Sequence, residues 1–298
     1  MAAQAGERDL GALAGPVLLF GGPYGNREAT EALLAEAVRR DLPWRQVICT
    51  GDVAAYGAEP QACADMLRAH DITTVMGNCE ESLAADAEAC GCGYAEGTVC
   101  DTLSVAWFAY CRAALDRETK AWMGGLPRRL AFALGGRRFA VIHGSVSLIN
   151  RFVFASTPAV EKAAELDLAG ADAVIGGHCG LPFTSLVGER LWHNAGAIGL
   201  PADDGTPRVW FSTLTPRRDG VLVEHHPLAY DHTAAAAKMR AAGLPEAYAA
   251  SLEDGLWPSC DVLPPAERRA RGRALASQAL LWPPPGAIRR LGQDGLSA

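Results

Sequence analysis

The sequence predicts an α/β fold in which two sheets pack face to face with helices outside. Three observations carry this. The first half alternates short, continuously apolar runs with stretches that repeat apolar residues at helical spacing, the pattern of strands covered on both faces. The second half loses most of its helices and gains hairpin signals. At 298 residues, 49% of them apolar, the chain can build one large domain or two small ones with ample core.

In order along the chain, PVLLFGG (16–22) reads as a buried strand and NREATEALLAEAVRRD as the helix after it. RQVICTGD is a second strand and EPQACADMLRAH a second helix. DITTVMGN is a third strand, and EESLAADAEA opens a third helix, where Glu80 and Glu81 suit the positive N-terminal end. From 81 to about 126 runs a long, mostly helical insertion that includes LSVAWFAYCRAAL and ETKAWMGGLP. Its aromatic residues Trp107, Phe108, Tyr110 and Trp122 form one buried stripe, and the segment is expected to pack across the mouth of a site.

RLAFALGGRRFAVIHG is two strands around a Gly-Gly turn. ADAVIGGHCG, the region of LVGERLWHNAGA, RVWFSTL and GVLVEHH supply further strands. HTAAAAKMRAAG and PEAYAASLEDG read as two closing helices. The organisation is one domain over 15–260 followed by a tail over 261–298, expected to be partly extended or disordered from about Pro264. No fixed-period repeat is present.

A net charge of −7 and a pI near 5.5 argue against a nucleic-acid-binding surface, which needs a basic patch to neutralise phosphates. No segment has the apolar length to span a bilayer, and the N-terminal MAAQAGERDLGALAGPVLLF lacks a basic n-region, so a cytoplasmic chain is expected. The sequence leaves the oligomeric state open. Nine cysteines are an odd number, which disfavours a closed disulfide framework. Cys49 and Cys63 read as small core residues, whereas Cys90, Cys92 and Cys100 in ACGCGYAEGTVC are either a second metal site or buried thiols.

Polar residues gather where strands end: Asp52 in TGDVAAYG, Asn78 in MGNCE, His143 in VIHGS and His178 in GGHCG. The C-terminal ends of strands in α/β sheets form the rim where ligands bind, so the four side chains are placed to converge. One carboxylate, one amide oxygen and two imidazoles suit one borderline divalent cation, Mn, Fe or Zn.

The order GD, GN, a strand ending in HG, then GH followed by LPF resembles the calcineurin-like metallophosphoesterases, and within them the small bacterial phosphodiesterases and diadenosine-tetraphosphatase-like proteins. GDVAAYGAEP, through Tyr56, Gly57 and Pro60, is similar to that branch's second motif. WHNAGAIGLP resembles the loop after the last ligand strand, and YDHTAAAAKMRAAGLPEAYAASL the closing helix pair, so the likeness spans roughly 16 to 257. The resemblance implies an α/β/β/α sandwich of the metallophosphoesterase type and a metal-dependent hydrolase of a small anionic or phosphorylated substrate.

Departures from the family pattern fall on one side. The family carries Asp and His after the first strand, where this chain has Gly22 and Tyr24 in GGPYGN, with Gly25-Asn26 retained. The last motif ends in a second His in the family and in Gly180 here. Those three residues hold the first of two metals in the family, so the resemblance implies a single retained site of Asp52, Asn78, His143 and His178. Tyr24, Asn26, Cys179 and the main chain of Gly144 are expected around the substrate.

The family histidine after Asn78, which assists the leaving oxygen, is Cys79 here. Cys79 either lines the pocket as a reactive thiol or fills the space a histidine left. His193 is a further candidate base. Besides hydrolysis, two other functions stay open: a non-catalytic module that binds a metal or phosphorylated ligand, and a thiol and metal activity that uses Cys79.

Overall fold

The computed structural model describes residues 6–285. A first strand that the sequence reading did not assign, β1 (Glu7–Ala12), is followed by β2 (Val17–Phe20), α1 (Arg27–Arg39), β3 (Val47–Cys49), α2 (Pro60–Ala69) and β4 (Thr73–Thr74). Next come α3 (Asn78–Ala84), α4 (Val99–Ala114) and α5 (Arg117–Gly124), then the hairpin β5 (Arg129–Leu134) and β6 (Arg137–Val141). The order continues with α6 (Ala159–Ala169), β7 (Ala173–Gly176), β8 (Phe183–Val187), β9 (Arg190–Asn194), β10 (Val209–Arg217) and β11 (Gly220–Leu228). Helices α7 (His232–Ala241), α8 (Glu246–Asp254) and α9 (Pro265–Ala270) precede a last strand, β12 (Gln278–Trp282).

Two mixed sheets result, in the orders β1-β5-β6-β7-β9-β8 and β12-β11-β10-β2-β3-β4. The continuously apolar strands have the expected cause. In β2, Val17 and Leu19 point between the sheets, while Leu18 and Phe20 point out under α1 and α2 against Leu33 and Leu67. In β7, Ala173 and Ile175 face inward, and Val174 faces the layer under α6 with Leu166. Both faces of these strands are dry, which is why they carry no polar alternation.

The tail is a correction to the sequence reading. Instead of staying extended or disordered from Pro264, it forms α9 and then β12, which adds to the sheet edge antiparallel to β11 over Val221–His225. Trp282 closes the end of the core, edge-on to Phe139 at 5.7 Å and under the Arg137 guanidinium at 4.2 Å. Residues 286–298 of the expected tail lie outside the described residues.

Parallel strands β2, β3 and β4 end on the same rim as β6, β7 and β9. The sheets touch there: Gly21 bridges to Ala197, and a Cβ on Gly177 would lie 2.0 Å from Thr50 Oγ1. Only glycine allows that approach. Helices α4 and α5 with the loop before them join α7 and α8 in one apolar cluster over this rim, built on Trp107, Phe108, Met239 and Leu252.

Candidate metal centre

Asp52, His143 and His178 converge at the junction of the two sheets. Their ligand atoms lie within 4.8 Å of one another, and all three residues are buried. His143 Nε2 is 3.2 Å from Asp52 Oδ2 and 3.0 Å from His178 Nδ1. The other nitrogen of each ring is already engaged. His143 Nδ1 donates to the Thr50 carbonyl at 2.6 Å, and His178 Nε2 donates to the Cys92 carbonyl at 3.2 Å. Backbone acceptors behind an imidazole fix its tautomer and turn the free nitrogen inward, as they do behind metal-ligating histidines. Phe152 covers the His178 ring at 4.2 Å between centroids.

Charges follow from the same contacts. Burial opposes the Asp52 carboxylate, but His143 beside it more than compensates and holds its pKa below the usual range. Burial likewise opposes protonation of His143, and Asp52 with the Thr50 carbonyl reverses that, so its pKa rises. Burial and the charge on His143 push His178 down to about 3. Asp52 and His143 therefore favour their charged forms together and His178 its neutral form, where a cation would sit.

Asp52 holds a left-handed backbone, φ 57°, which costs a non-glycine residue energy unless its surroundings impose it. Glu80 imposes it. Its buried carboxylate accepts from the amides of Asp52 (2.8 Å), Val53 (2.7 Å) and Gly77 (2.8 Å), tying the two loops together. Burial and the Asp52 charge raise its pKa to about 7. The sequence reading gave Glu80 and Glu81 the same role at the start of α3. Only Glu81 stays on the surface, paired with Arg128. The backbone carbonyls of Thr50 and Cys92 are the other two parts that sequence reasoning missed.

Asn78 adjoins the triad, since the amide of the next residue donates to Asp52 Oδ1 at 3.1 Å. Asn78 Nδ2 donates to the Cys90 carbonyl at 3.0 Å, while its Oδ1 is buried without a hydrogen-bond partner. A buried acceptor left without a donor is costly, and a cation would satisfy it. Two imidazole nitrogens, a carboxylate and an orphaned amide oxygen fit a borderline divalent cation.

A tyrosine ring occupies the positions that the resemblance assigns to a first metal. Tyr24, also left-handed at φ 52°, folds its ring over Gly22, where a Cβ would lie 2.2 Å from Tyr24 Cζ. Its hydroxyl reaches toward Gly180, 3.7 Å from the Cβ that glycine lacks.

Other expected site residues land elsewhere. Asn26 is an N-cap: its Oδ1 accepts from the Ala29 amide at 3.1 Å and its Nδ2 donates to the Gly199 carbonyl at 3.1 Å, so a structural task replaces the expected substrate contact. Gly144 lies outside the cavity beside the triad, packed against the Ile149 carbonyl. Cys179 does line that cavity, accepting from Asn194 Nδ2 at 3.2 Å, with burial raising its thiol to about 12. Cys79 sits in the apolar cluster under α4 and does not line the cavity. Burial first, then the Asp52 charge, holds its thiol well above the usual range, which favours the reading of Cys79 as a filler.

His193 points between the sheets, bonded to Ser212 Oγ (2.7 Å) and Thr184 Oγ1 (2.9 Å), which removes it as a base. Cys90 and Cys92 form a disulfide, and Cys100 is buried apart on α4. Among the described residues, Asp52, His143 and His178 are the one group with metal-ligand spacing, so the second metal site weighed for these cysteines does not form.

The insertion does lie over the site, through the Cys92 carbonyl on His178 and the contacts of Cys90 and Cys92 with Asn78. No helix among the described residues is long and apolar enough to cross a membrane.

The sequence model for the calcineurin-like phosphoesterase superfamily domain matches residues 25–216. Among solved structures, the chain is similar to a metallophosphoesterase from Sphaerobacter thermophilus, at 22% identity and a TM-score of 0.64, over 82% of this chain and 100% of that one. It is also similar to a hypothetical protein from Pyrococcus horikoshii OT3, at 15% identity and a TM-score of 0.68, over 81% of this chain and 99% of that one. Both likenesses concern the fold. No curated protein matches the chain.

Proposed function

The chain belongs to the calcineurin-like phosphoesterase superfamily, and on that premise we propose that it is a phosphoesterase that works with a single divalent cation. The supporting observation is the pair of imidazoles whose outer nitrogens are bound to backbone carbonyls while their inner nitrogens face Asp52. Asp52, His143 and His178 would hold the cation, with Asn78 Oδ1 completing the protein's donors. When bound, it supplies Lewis acidity toward a phosphoryl oxygen and toward water.

The chain's own residues do the positioning. The Thr50 and Cys92 carbonyls keep both histidines in one tautomer, Glu80 keeps Asp52 in its unfavourable backbone conformation, and Phe152 shields His178 from water. The Tyr24 ring stands against a second cation, because Gly22 and Gly180 offer no side-chain donor and the ring fills the space between them. A second cation would have to dehydrate for Asp52 and a phenol alone. Turnover well below that of a two-metal relative is expected, since no imidazole stands at Cys79 to assist the leaving oxygen.

Elemental analysis and calorimetric titration with Mn²⁺ test this, alongside hydrolysis of bis(4-nitrophenyl) phosphate. One equivalent should bind and support slow hydrolysis. His143→Ala or His178→Ala should abolish binding, and Tyr24→Phe should leave it unchanged. Two equivalents in the wild-type chain, or none, would overturn the proposal.

A further inference from the structure

We infer that the cavity beside Asp52 and His178 takes an ester with one phosphoryl group and one aromatic ring attached close to it, and turns polyphosphates away. The inference rests on the phosphoesterase reading and adds the substrate class. The cavity is walled by six aromatic side chains, Tyr24, Tyr56, Tyr94, Phe152, Tyr248 and Trp257. Their polar atoms are largely turned to the protein. Tyr56 and Tyr94 bond hydroxyl to hydroxyl at 2.7 Å, and Trp257 Nε1 donates to the Pro201 carbonyl at 2.7 Å. What faces the space is mainly ring. Tyr56 packs edge-on to Tyr24 at 4.9 Å and tilted on Tyr248 at 4.6 Å, so the wall is continuous.

Among the described residues, no lysine or arginine lines this cavity. Arg151, next to Phe152 in the chain, is tied to Glu161 and Glu165. Asp52 adds a negative charge. A chain of phosphates entering here would bring charges that nothing on the wall neutralises, in surroundings where unpaired charge is costly.

Size points the same way. The cavity leaves ≈ 60 Å³ open to the centres of water molecules, room for about four of them, or roughly one six-membered ring. A sugar and a base together would leave one of them projecting into solvent. Aromatic rings also pack on one another with a gain beyond simple burial.

The test is calorimetric, at fixed free Mn²⁺, with four ligands that the protein does not hydrolyse: phenylphosphonate, methylphosphonate, inorganic phosphate and adenosine 5′-monophosphonate. Competition with tripolyphosphate completes the set. Phenylphosphonate should bind at least about tenfold more tightly than methylphosphonate, equivalent to about 1.4 kcal/mol. Tripolyphosphate and the nucleoside phosphonate should bind no more tightly than phenylphosphonate.

Trp257→Leu and Tyr94→Leu, both at half-buried positions, should each shrink the phenyl-to-methyl ratio while leaving inorganic phosphate affinity unchanged. Equal phenyl and methyl affinities, with inorganic phosphate still binding, would overturn the inference alone. Tighter binding of tripolyphosphate or the nucleoside phosphonate would do the same. Failure of inorganic phosphate to bind the Mn²⁺-loaded chain would instead remove the phosphoesterase reading beneath it.

Discussion

Acidification should destabilise the chain through a pair of histidines sealed between the sheets, and His225→Gln should remove the His225 part of that effect. His225 and His193 stack at 4.8 Å, joined through Thr184 Oγ1, which lies 2.9 Å from each. Burial, with a smaller contribution from His226, pushes His225 down to about 4. Burial and then His225 push His193 well below its usual value.

In the unfolded chain both return to about 6.5. Each therefore binds its proton more readily unfolded than folded, and stability is lost as pH falls from about 6.5 toward the folded values. Between pH 8 and pH 5 the loss is about 2 kcal/mol for His225, and His193 adds to it in the same direction. The His225 part alone is a sizeable share of a typical stability of roughly 5–15 kcal/mol.

The assay is urea unfolding at fixed pH values from 8 to 5, with a chelator present, for wild type and His225→Gln. Gln keeps a partner for Thr184 and does not titrate. His143 acts with the opposite sign: its raised pKa gives stability that is full at low pH and is lost as pH rises through the folded value. His178, lowered to about 3, acts with the same sign as His225. Both are present in the two proteins and cancel in the comparison. The wild type should lose about 2 kcal/mol more than the variant across this range. Parallel pH profiles would refute the reasoning.

Glu80→Gln keeps the shape but offers only one acceptor oxygen to three amides. It should cost about 1.5–3 kcal/mol in chemical unfolding and weaken Mn²⁺ binding by about tenfold or more, because Asp52 loses its clamp. Gly177→Ala puts a methyl group 2.0 Å from Thr50 Oγ1. It should cost about 1–3 kcal/mol and lower metal affinity through the Thr50 carbonyl, with Thr50→Ala in the same chain recovering part of the loss. Cys79→Ser should reduce stability by about 1–2 kcal/mol through a buried hydroxyl, yet leave Mn²⁺ stoichiometry and turnover unchanged. Activity lost with the metal retained would return Cys79 to the chemistry.

The candidate ligands were legible because each sits shortly after an apolar run. Asp52, His143 and His178 follow β3, β6 and β7, and parallel strands bring their ends together without further information. What supports them was not legible. Glu80 looks in sequence like any acidic residue at a helix start, and its three amide partners become neighbours only once β3 and β4 pair. The Cys92 carbonyl belongs to a loop whose position depends on α4 packing against α7 and α8.

His193 was misread although a signal existed. It shares strand parity with Leu191, which faces between the sheets, while Trp192 faces out. Strand β12 was lost because its partner β11 lies some fifty residues earlier, and the Pro- and Arg-containing stretch between them carries no strand pattern. The aromatic wall likewise draws on the cap loop, the α8 region and the segment around Trp257, which no local pattern joins.

The substitutions at the place implied for a first metal are one physical change. A carboxylate at position 22 needs a Cβ where Tyr24 Cζ already lies 2.2 Å away, so an aspartate there and this ring exclude each other. Gly199 makes the same room from the other side, since a Cβ there would stand 2.5 Å from Tyr24 Cβ. A Cβ at position 180 would lie in ordinary contact with the Tyr24 hydroxyl, at 3.7 Å. Restoring an aspartate at position 22 alone therefore meets the ring before it meets a cation. The ring also forms one wall of the aromatic cavity, stacked edge-on against Tyr56. The side chain that stands among the positions implied for a first metal is thus the same one that helps make the neighbouring surface apolar.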